Sequence, residues 1–158
     1  MHKNEQAIRD FYESFNRHDA EGMVKQYAKD VRFSDPVFTD LRGDEARAMW
    51  RMLTKRAPDL RVEFRDVSAD DTTGRAHWDA YYTFSRTGRP VVNRIDATFR
   101  FEDGKIVEHT DVFDLWAWTR MALGPVGTLL GWSPMLRIPM RKGVKKELAK
   151  YMAKHPAP

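Results

Sequence analysis

The sequence of 158 residues contains no cysteine, which excludes a disulfide framework, thiolate zinc sites and cysteine nucleophiles. No stretch approaches 18 consecutive apolar residues, so we predict no membrane-spanning helix. The first residues are polar and continue into a helical pattern, and with no signal peptide in evidence we expect a cytoplasmic protein. A chain of this length is the size of one domain and can enclose an interior pocket.

Motifs for cofactor chemistry are also missing. The five histidines are scattered and show no metal-binding spacing such as H-x-x-x-H. The glycines stand singly rather than in a phosphate-binding loop, and no serine lies in a G-x-S-x-G context. We therefore predict a protein that uses no metal, nucleotide or flavin.

Positive charge is concentrated at one end of the chain. The formal net charge is +4, but residues 137–158 contain seven basic residues against one acidic residue. The preceding part of the chain is therefore slightly acidic. Because the basic residues form no surface-wide pattern, we do not expect nucleic acid as a partner.

The apolar spacing changes along the chain from helical to alternating. Helices are predicted over 4–16, over 19–27 and from Gly43 to just before Pro58. Strands are predicted over the following segments: 31–37, 60–67 with a possible bulge, 75–85, 91–101 and 106–114. This order predicts an α+β fold in which one strongly bent antiparallel or mixed sheet wraps around three N-terminal helices.

The predicted organisation is one domain over residues 1–115 and a helical, basic extension over 116–158. The extension contains Trp116, Trp118 and Trp132 and ends in a basic amphipathic helix over 143–154. Such a segment can lie on an anionic membrane surface. Packing over the domain or over a partner subunit is the more common arrangement, and we favour it here.

Asp35 is the first candidate for chemistry. It alternates with Val31, Phe33 and Val37, so it is expected to point toward the apolar interior, where burial would raise its pKa and make it a general base near neutral pH. Alternatively, Asp35 forms an Asx-type turn with Pro36 and the residues beyond it. Both interpretations remain open.

His109 and Asp111 are the second candidates, because they share a strand face with Val107 and Phe113. An imidazole beside a carboxylate can move protons, although such pairs are more often satisfied structurally. Asp96 falls on the polar side of its strand, and only a bulge between 96 and 101 would turn it inward.

Several segments together resemble the SnoaL-like branch of the nuclear-transport-factor-2-like superfamily. The resemblance rests on these stretches within residues 5–115: His18-Asp19, Tyr27-Ala28-Lys29-Asp30, Phe33-Ser34-Asp35-Pro36-Val37, Gly43 and Gly104-Lys105-Ile106-Val107-Glu108-His109-Thr110-Asp111. Ketosteroid isomerases, polyketide cyclases and limonene-epoxide hydrolase are relatives. The resemblance implies a cone-shaped fold with an interior pocket and a homodimer formed through the convex sheet face. It is a weak guide to the reaction.

The resemblance to ketosteroid isomerases places Asp35 at the position of their catalytic base and Tyr27 in their hydrogen-bond network. Asp96 resembles their oxyanion-hole aspartate, but the following turn differs by one residue. Their main oxyanion donor, a tyrosine, falls on Phe11, which has no hydroxyl group. Loss of such a donor typically costs about 10²–10³ in rate.

The other relatives match less completely. Asp111 corresponds to one catalytic carboxylate of the epoxide hydrolases, but the arginine they require is missing near His77 and Asp79. The water-holding tyrosine and asparagine of those enzymes fall on Phe33 and Asp35. Among the cyclases, the resemblance rests on His109 and Asp111.

We therefore expect a cofactor-independent acid/base enzyme of isomerase, cyclase or hydratase type that acts on an apolar, possibly polycyclic, carbonyl compound. A binding protein with the same pocket, or a protein-interaction module, is the alternative. The candidate catalytic residues are Asp35, Asp111, His109 and Asp96. The candidate substrate-binding residues are Phe11, Tyr27, Phe33, Trp50, His77, Asp79 and Phe113. Of these, His77, Asp79 and Asp96 are individually the most consistent with a structural role.

Overall fold

The computed structural model describes residues 1–157, so that Pro158, the last residue of the predicted extension, lies outside the described residues. Residues 1–157 form six helices and six strands, and their order begins helix–helix–strand as predicted. Among the described residues, no helix is both long enough and apolar enough to span a membrane.

Three helices pack inside the bend of the sheet. Helix α1 (Lys3–Asn16) buries Ile8, Phe11 and Phe15 along one face, in agreement with their helical spacing. Helix α2 (Ala20–Val24) begins after Asp19, whose carboxylate accepts a hydrogen bond from the backbone N–H of Gly22. Helix α3 (Asp44–Arg56) buries Met49 and Trp50 in the same core.

The sheet has six strands in the spatial order β2-β1-β6-β5-β4-β3. Their bounds are as follows: β1 Tyr27–Ser34, β2 Leu41–Arg42, β3 Arg61–Ala69, β4 Thr73–Phe84, β5 Arg89–Glu102 and β6 Lys105–Val112. All neighbours are antiparallel except β1 and β6, which run parallel. The sheet is therefore mixed, and the predicted α+β fold, a sheet wrapped around N-terminal helices, is confirmed.

Two irregularities of register lie in the long strands. The predicted bulge in β3 occurs between Arg65 and Ser68, where Asp66 has a φ of 56°. A second shift separates Arg100 from Phe101 in β5. The alternation of buried and exposed residues in β5 stays regular through this region, so the shift does not turn Asp96 inward.

The extension folds back over the open end of the sheet. It consists of α4 (Leu115–Leu123), α5 (Pro125–Leu130) and α6 (Pro134–Lys154). Helix α4 packs on β5 and α6 packs on α3. Helix α6 begins nine residues before the predicted start at residue 143 and continues through Pro139. The division at residue 115 stays a prediction.

Candidate functional site

A cavity of about 410 Å³ lies between the inner face of the sheet, α3 and the extension. Most of its wall is apolar and aromatic, with Trp50, Trp78 and Phe113 among the lining side chains. The polar lining residues include four that come from three different strands and one loop: Asp35, Tyr82, Asn93 and Asp111. An apolar cavity with a few convergent polar groups is the usual form of a small-molecule site.

Asp35 lies immediately after β1, in the turn that leads to Phe38. Its Oδ1 atom accepts hydrogen bonds from the backbone N–H groups of Val37, at 2.7 Å, and Phe38, at 2.6 Å. The backbone N–H of Asp35 in turn donates to the Phe38 carbonyl oxygen at 2.8 Å. The Asx-type turn is therefore present, yet the carboxyl group also lines the cavity. The predicted turn and the predicted position at the interior therefore occur together, and the role of Asp35 as a general base stays a prediction.

Burial raises the pKa of Asp35 from an ordinary value of 3.8 to about 7. The two backbone N–H groups stabilise the carboxylate and lower the pKa, but by less than burial raises it. Asp111 adds a further increase, because two negative charges across one cavity repel each other. A carboxyl group with a pKa near neutrality can both accept and release protons under physiological conditions.

Asp111 is held by a chain of buried hydrogen bonds that begins at Trp50. The Trp50 Nε1–H group donates to the Tyr27 hydroxyl at 2.8 Å, and that hydroxyl lies 2.7 Å from His109 Nδ1. His109 Nε2 lies 2.9 Å from Asp111 Oδ1, which also accepts a bond of 3.4 Å from the Trp78 indole N–H. His109 is fully buried and Asp111 is 3% exposed.

The directions of these hydrogen bonds determine which nitrogen of the His109 ring carries the proton. Because the Tyr27 oxygen already accepts from Trp50, its own proton is free to go to His109 Nδ1. His109 therefore carries its proton on Nε2 and donates it to Asp111 Oδ1. Burial raises the pKa of Tyr27 well above 10, which keeps that hydroxyl protonated. The other Asp111 oxygen, Oδ2, makes no hydrogen bond within residues 1–157.

Three predicted binding residues lie behind the cavity wall rather than in it. Phe11, Tyr27 and Phe33 are buried and surround the His109 ring, with Phe11 and Phe33 in edge-on contact at centroid distances of 5.5 and 5.0 Å. Their contacts hold the imidazole in place. Of the predicted substrate-binding residues, Trp50 and Phe113 line the cavity directly.

Asp96, His77 and Asp79 lie on the opposite face of the sheet, away from the cavity. His77 Nδ1 lies 2.9 Å from Asp96 Oδ1, and His77 Nε2 lies 2.9 Å from Asp79 Oδ1. Arg65 donates to Asp79 at 3.0 Å. The structure does not bring these three residues to Asp35 and Asp111, because strand alternation points them outward. Asp96 therefore pairs with a histidine of the neighbouring strand.

Protonation in this outer cluster differs from that in the cavity. Partial burial lowers the pKa of His77, but its hydrogen bonds to Asp96 and Asp79 outweigh this effect, so the net pKa is raised.

Among residues 1–157, no three histidine, aspartate or glutamate side chains are placed to hold a metal ion.

Asn93 and Tyr82 were not predicted, although strand alternation contained the signal for both. Asn93 shares the inner face of β5 with Val91 and Ile95, and its side-chain amide makes no hydrogen bond within the described residues. The Tyr82 hydroxyl accepts a 2.7 Å bond from the Trp118 indole N–H, which leaves its own proton available. Burial raises the pKa of Tyr82, so that its hydroxyl stays protonated.

The extension supplies the cavity roof, which we define as the cavity-lining residues of α4 and α6. They include Trp118, Met140 and Val144. At the mouth, Glu147 of α6 pairs with Arg56 of α3 at 2.9 Å and also with Arg86 from the β4–β5 turn. The sequence contained no local signal for this closure, since it depends on where α6 packs.

Comparison with known proteins agrees with this architecture. The SnoaL-like domain family matches residues 8–109 of the chain. A comparison with curated proteins finds no match.

Solved structures share the fold at low sequence identity. A protein of unknown function from Burkholderia pseudomallei, described as NTF2-like, is 22% identical with a TM-score of 0.67, over 77% of this chain and 98% of its own. A putative polyketide cyclase from Xanthomonas campestris is 24% identical with a TM-score of 0.63, over 75% of this chain and 96% of its own. An LEH-like epoxide hydrolase from M. tuberculosis is 17% identical with a TM-score of 0.65, over 83% of this chain and 97% of its own.

The family match ends at residue 109, so Asp111 and the cavity roof lie beyond it. Within the matched range lie most of α1, the whole of α3, Asp35 in the turn after β1, and the strands that carry Tyr82 and Asn93. The match extends over well over half of the chain and coincides with the predicted resemblance. By its sequence the chain belongs to the SnoaL-like domain family, and its fold is similar to that of a protein described as NTF2-like.

Proposed function

We propose that this protein is a cofactor-independent acid/base enzyme that transfers protons on an apolar carbonyl compound, in a reaction of isomerase, cyclase or hydratase type. The observation that carries the proposal is the placement of Asp35, with a pKa of about 7, opposite Asp111 in one apolar cavity. Two carboxyl groups in different environments provide the base and the acid that such a reaction needs.

In the proposed reaction, the ionised Asp35 carboxylate removes a proton from the carbon next to the substrate carbonyl. The C–H electron pair moves into a new C=C bond, and negative charge develops on the carbonyl oxygen. The protonated Asp35 then returns the proton to another carbon, which gives an isomer. In a cyclase, the enolate carbon instead forms a bond to a second carbonyl carbon, and the proton goes to the new alkoxide.

Two neutral donors face the same cavity and are suited to the developing negative charge. The Asn93 amide has no protein partner, and the Tyr82 hydroxyl has a free proton because Trp118 supplies the bond that it accepts. Preorganised donors of this kind typically contribute about 10²–10³ in rate. We assign to them the donor role that Phe11, which has no hydroxyl group, does not provide.

Asp111 would receive or deliver the second proton through Oδ2. His109 and Trp78 fix its other oxygen, so the free oxygen keeps a defined direction toward the cavity. His109 does not line the cavity and acts through Asp111, and we therefore treat it as a positioning residue. The aromatic wall and the volume of about 410 Å³ suit a compact, ring-containing substrate.

The test is proton exchange in D2O, which needs no knowledge of the natural substrate. A panel of β,γ-unsaturated and 1,3-dicarbonyl ring compounds is incubated with the protein, and loss of C–H signals is followed by NMR. We expect Asp35→Asn to reduce the exchange rate at least 100-fold, and Asp111→Asn to reduce it as well. Asp96→Asn, which removes a carboxylate on the outer face, is the matched control and should leave the rate unchanged. Equal rates for Asp35→Asn and wild type would refute the proposal.

A second candidate function, ligand binding without chemistry, is favoured by one specific observation. Asp35 Oδ1 already accepts two short backbone hydrogen bonds, which reduce the basicity of that oxygen. A binding protein would retain affinity for a panel compound in the Asp35→Asn variant and would release the compound without deuterium incorporation. An enzyme would bind the compound in this variant but exchange its protons only in the wild type.

A further inference from the structure

The extension exposes apolar side chains at a density found nowhere else on the described surface. Of the nine large apolar residues that are exposed in residues 1–157, seven lie between 116 and 138. Leu129, Trp132 and Met135 are 70%, 63% and 72% exposed. We define the apolar patch as the five side chains of this segment that are about half exposed or more: Val126, Leu129, Trp132, Met135 and Ile138. A concentration of this kind indicates an interaction site.

Packing between α4 and α5 holds this patch in place. Gly127 and Gly131 lie against Thr119 so closely that a Cβ atom on either glycine would overlap it. The Thr119 hydroxyl donates to the Trp116 carbonyl at 2.9 Å and lies 3.3 Å from the Gly127 carbonyl. Because these two glycines face α4, Leu129 between them faces the opposite way. The exposure of Leu129 therefore follows from the close packing of the opposite side of α5 on α4.

Helix α6 has two different faces. Its inner face closes the cavity with Met140 and Val144. Its outer face consists of exposed residues at helical spacing, of which the first two are apolar and the last three are basic: Met135, Ile138, Lys142, Lys145 and Lys146. The one acidic residue of α6, Glu147, is turned inward to Arg56 and Arg86 and does not offset the lysines of the outer face.

We propose that the apolar patch and the lysines of α6 form a docking surface for an anionic lipid bilayer. A bilayer interface accepts exposed leucine, methionine and tryptophan side chains in its outer apolar layer, and anionic headgroups attract the adjoining lysines. Arg120, stacked over the Trp116 ring at 4.4 Å, adds a further positive charge beside the patch. The proposal does not depend on the proposed catalytic activity.

A second copy of the chain fits this surface less well. In a symmetric dimer the same surface meets itself, so the lysine-bearing faces would come together and repel each other. A bilayer surface supplies the opposite charge. Helix α6 contributes both the lysines of the docking surface and part of the cavity roof. Docking in this way would therefore place the cavity roof at the bilayer.

Co-sedimentation with vesicles tests the proposal. The wild-type protein is mixed with vesicles of phosphatidylcholine alone or of phosphatidylcholine and phosphatidylglycerol at 3:1. We expect binding to the anionic vesicles and little to the neutral ones. Lys142→Gln, Lys145→Gln and Lys146→Gln in one protein should weaken binding on the order of 100-fold, since each lysine near an anionic surface contributes roughly fivefold. Lys3→Gln, Lys25→Gln and Lys29→Gln change the net charge equally at exposed positions outside the extension, and should have little effect.

The apolar contribution is tested in the same assay. Leu129→Ser with Met135→Ser should weaken binding at least tenfold, whereas Val112→Ser, which removes an exposed apolar side chain from β6, should not. In the unaltered protein, lipids brominated in the upper acyl chain should quench part of the tryptophan fluorescence, which tests insertion without any substitution.

Three results would overturn the proposal. The first is wild-type protein that does not bind the anionic vesicles. The second is equal weakening by the patch variants and their controls. The third is a dimer in vesicle-free solution that Leu129→Ser with Met135→Ser dissociates, which would make the patch an interface between copies.

Discussion

Replacement of Asp35 by asparagine should change how the stability of the protein depends on pH. Asparagine keeps an Oδ1 atom that can accept from Val37 and Phe38, so the turn is retained. The substitution removes the ionisable carboxyl group at this position. In the unfolded chain Asp35 loses its proton near the ordinary value of 3.8, whereas in the folded protein it keeps the proton until about pH 7. The folded state therefore binds more protons in this window, and its stability falls as the pH rises through it.

The size of the effect follows from the two values. A pKa raised from 3.8 to about 7 corresponds to about 4 kcal/mol at about 1.4 kcal/mol per pH unit, and about 2.5 kcal/mol of this lies between pH 5 and pH 8. The free energy of unfolding of Asp35→Asn, relative to wild type, should therefore rise by about this amount from pH 5 to pH 8. Urea unfolding at several pH values measures the difference, with Asp96→Asn as the control.

Parallel stability curves for Asp35→Asn and wild type would show that the carboxyl group titrates normally. Asp35 would then not be a base with a pKa near neutrality, and the proposed proton transfer would lose its main support. A fall in the relative stability of the variant with rising pH would indicate that the turn stabilises the ionised carboxylate and lowers its pKa.

Two further substitutions test the buried network and the extension. Tyr27→Phe leaves the Trp50 N–H and His109 Nδ1 without their partner, so we expect a loss of about 2–4 kcal/mol in the free energy of unfolding and a change in the imidazole ¹⁵N shifts of His109; unchanged stability would show that the hydrogen-bond chain is not formed. Gly127→Ala inserts a Cβ into the Thr119 carbonyl and should speed amide hydrogen exchange throughout α4 and α5. Gly143→Ala, where a Cβ meets no atom within 4 Å, should instead stabilise α6 by up to about 1 kcal/mol, and faster exchange in both variants would contradict this packing.

Strand alternation explains which parts of the site could be predicted. His109 and Asp111 were placed inward, and Asp96 was placed outward, by the same rule of period two, and the structure agrees. Asn93 follows the same rule and could have been found, because it interrupts an apolar face. The rule works here because β5 and β6 are long and keep their alternation at these positions.

Asp35 lies beyond the reach of that rule. β1 ends at Ser34, so the direction of the Asp35 side chain depends on the turn rather than on the strand. One carboxylate oxygen accepts the hydrogen bonds of the turn, and the same carboxyl group also lines the cavity. From the sequence these two arrangements are alternatives, and their occurrence together could therefore not be predicted.

The start of α6 and its position over the cavity were also missed. Pro139 and the neighbouring glycines interrupt the apolar pattern, which hides the first two turns of the helix. Its place over the cavity depends on contacts between residues far apart in sequence, such as Arg141 with the Pro36 carbonyl at 2.9 Å. Local pattern alone contains no information of this kind.

The roof helices have a consequence for how the protein can diversify. The two cavity carboxyl groups, Asp35 and Asp111, and the helices that close over them are separate stretches of the chain, and the helices lie outside the range matched by the family. Substitutions at Met140 or Val144 can therefore reshape the space offered to a guest molecule without moving Asp35 or Asp111. The shape of the cavity and the placement of its carboxyl groups therefore depend on different segments, so that one can change while the other is preserved.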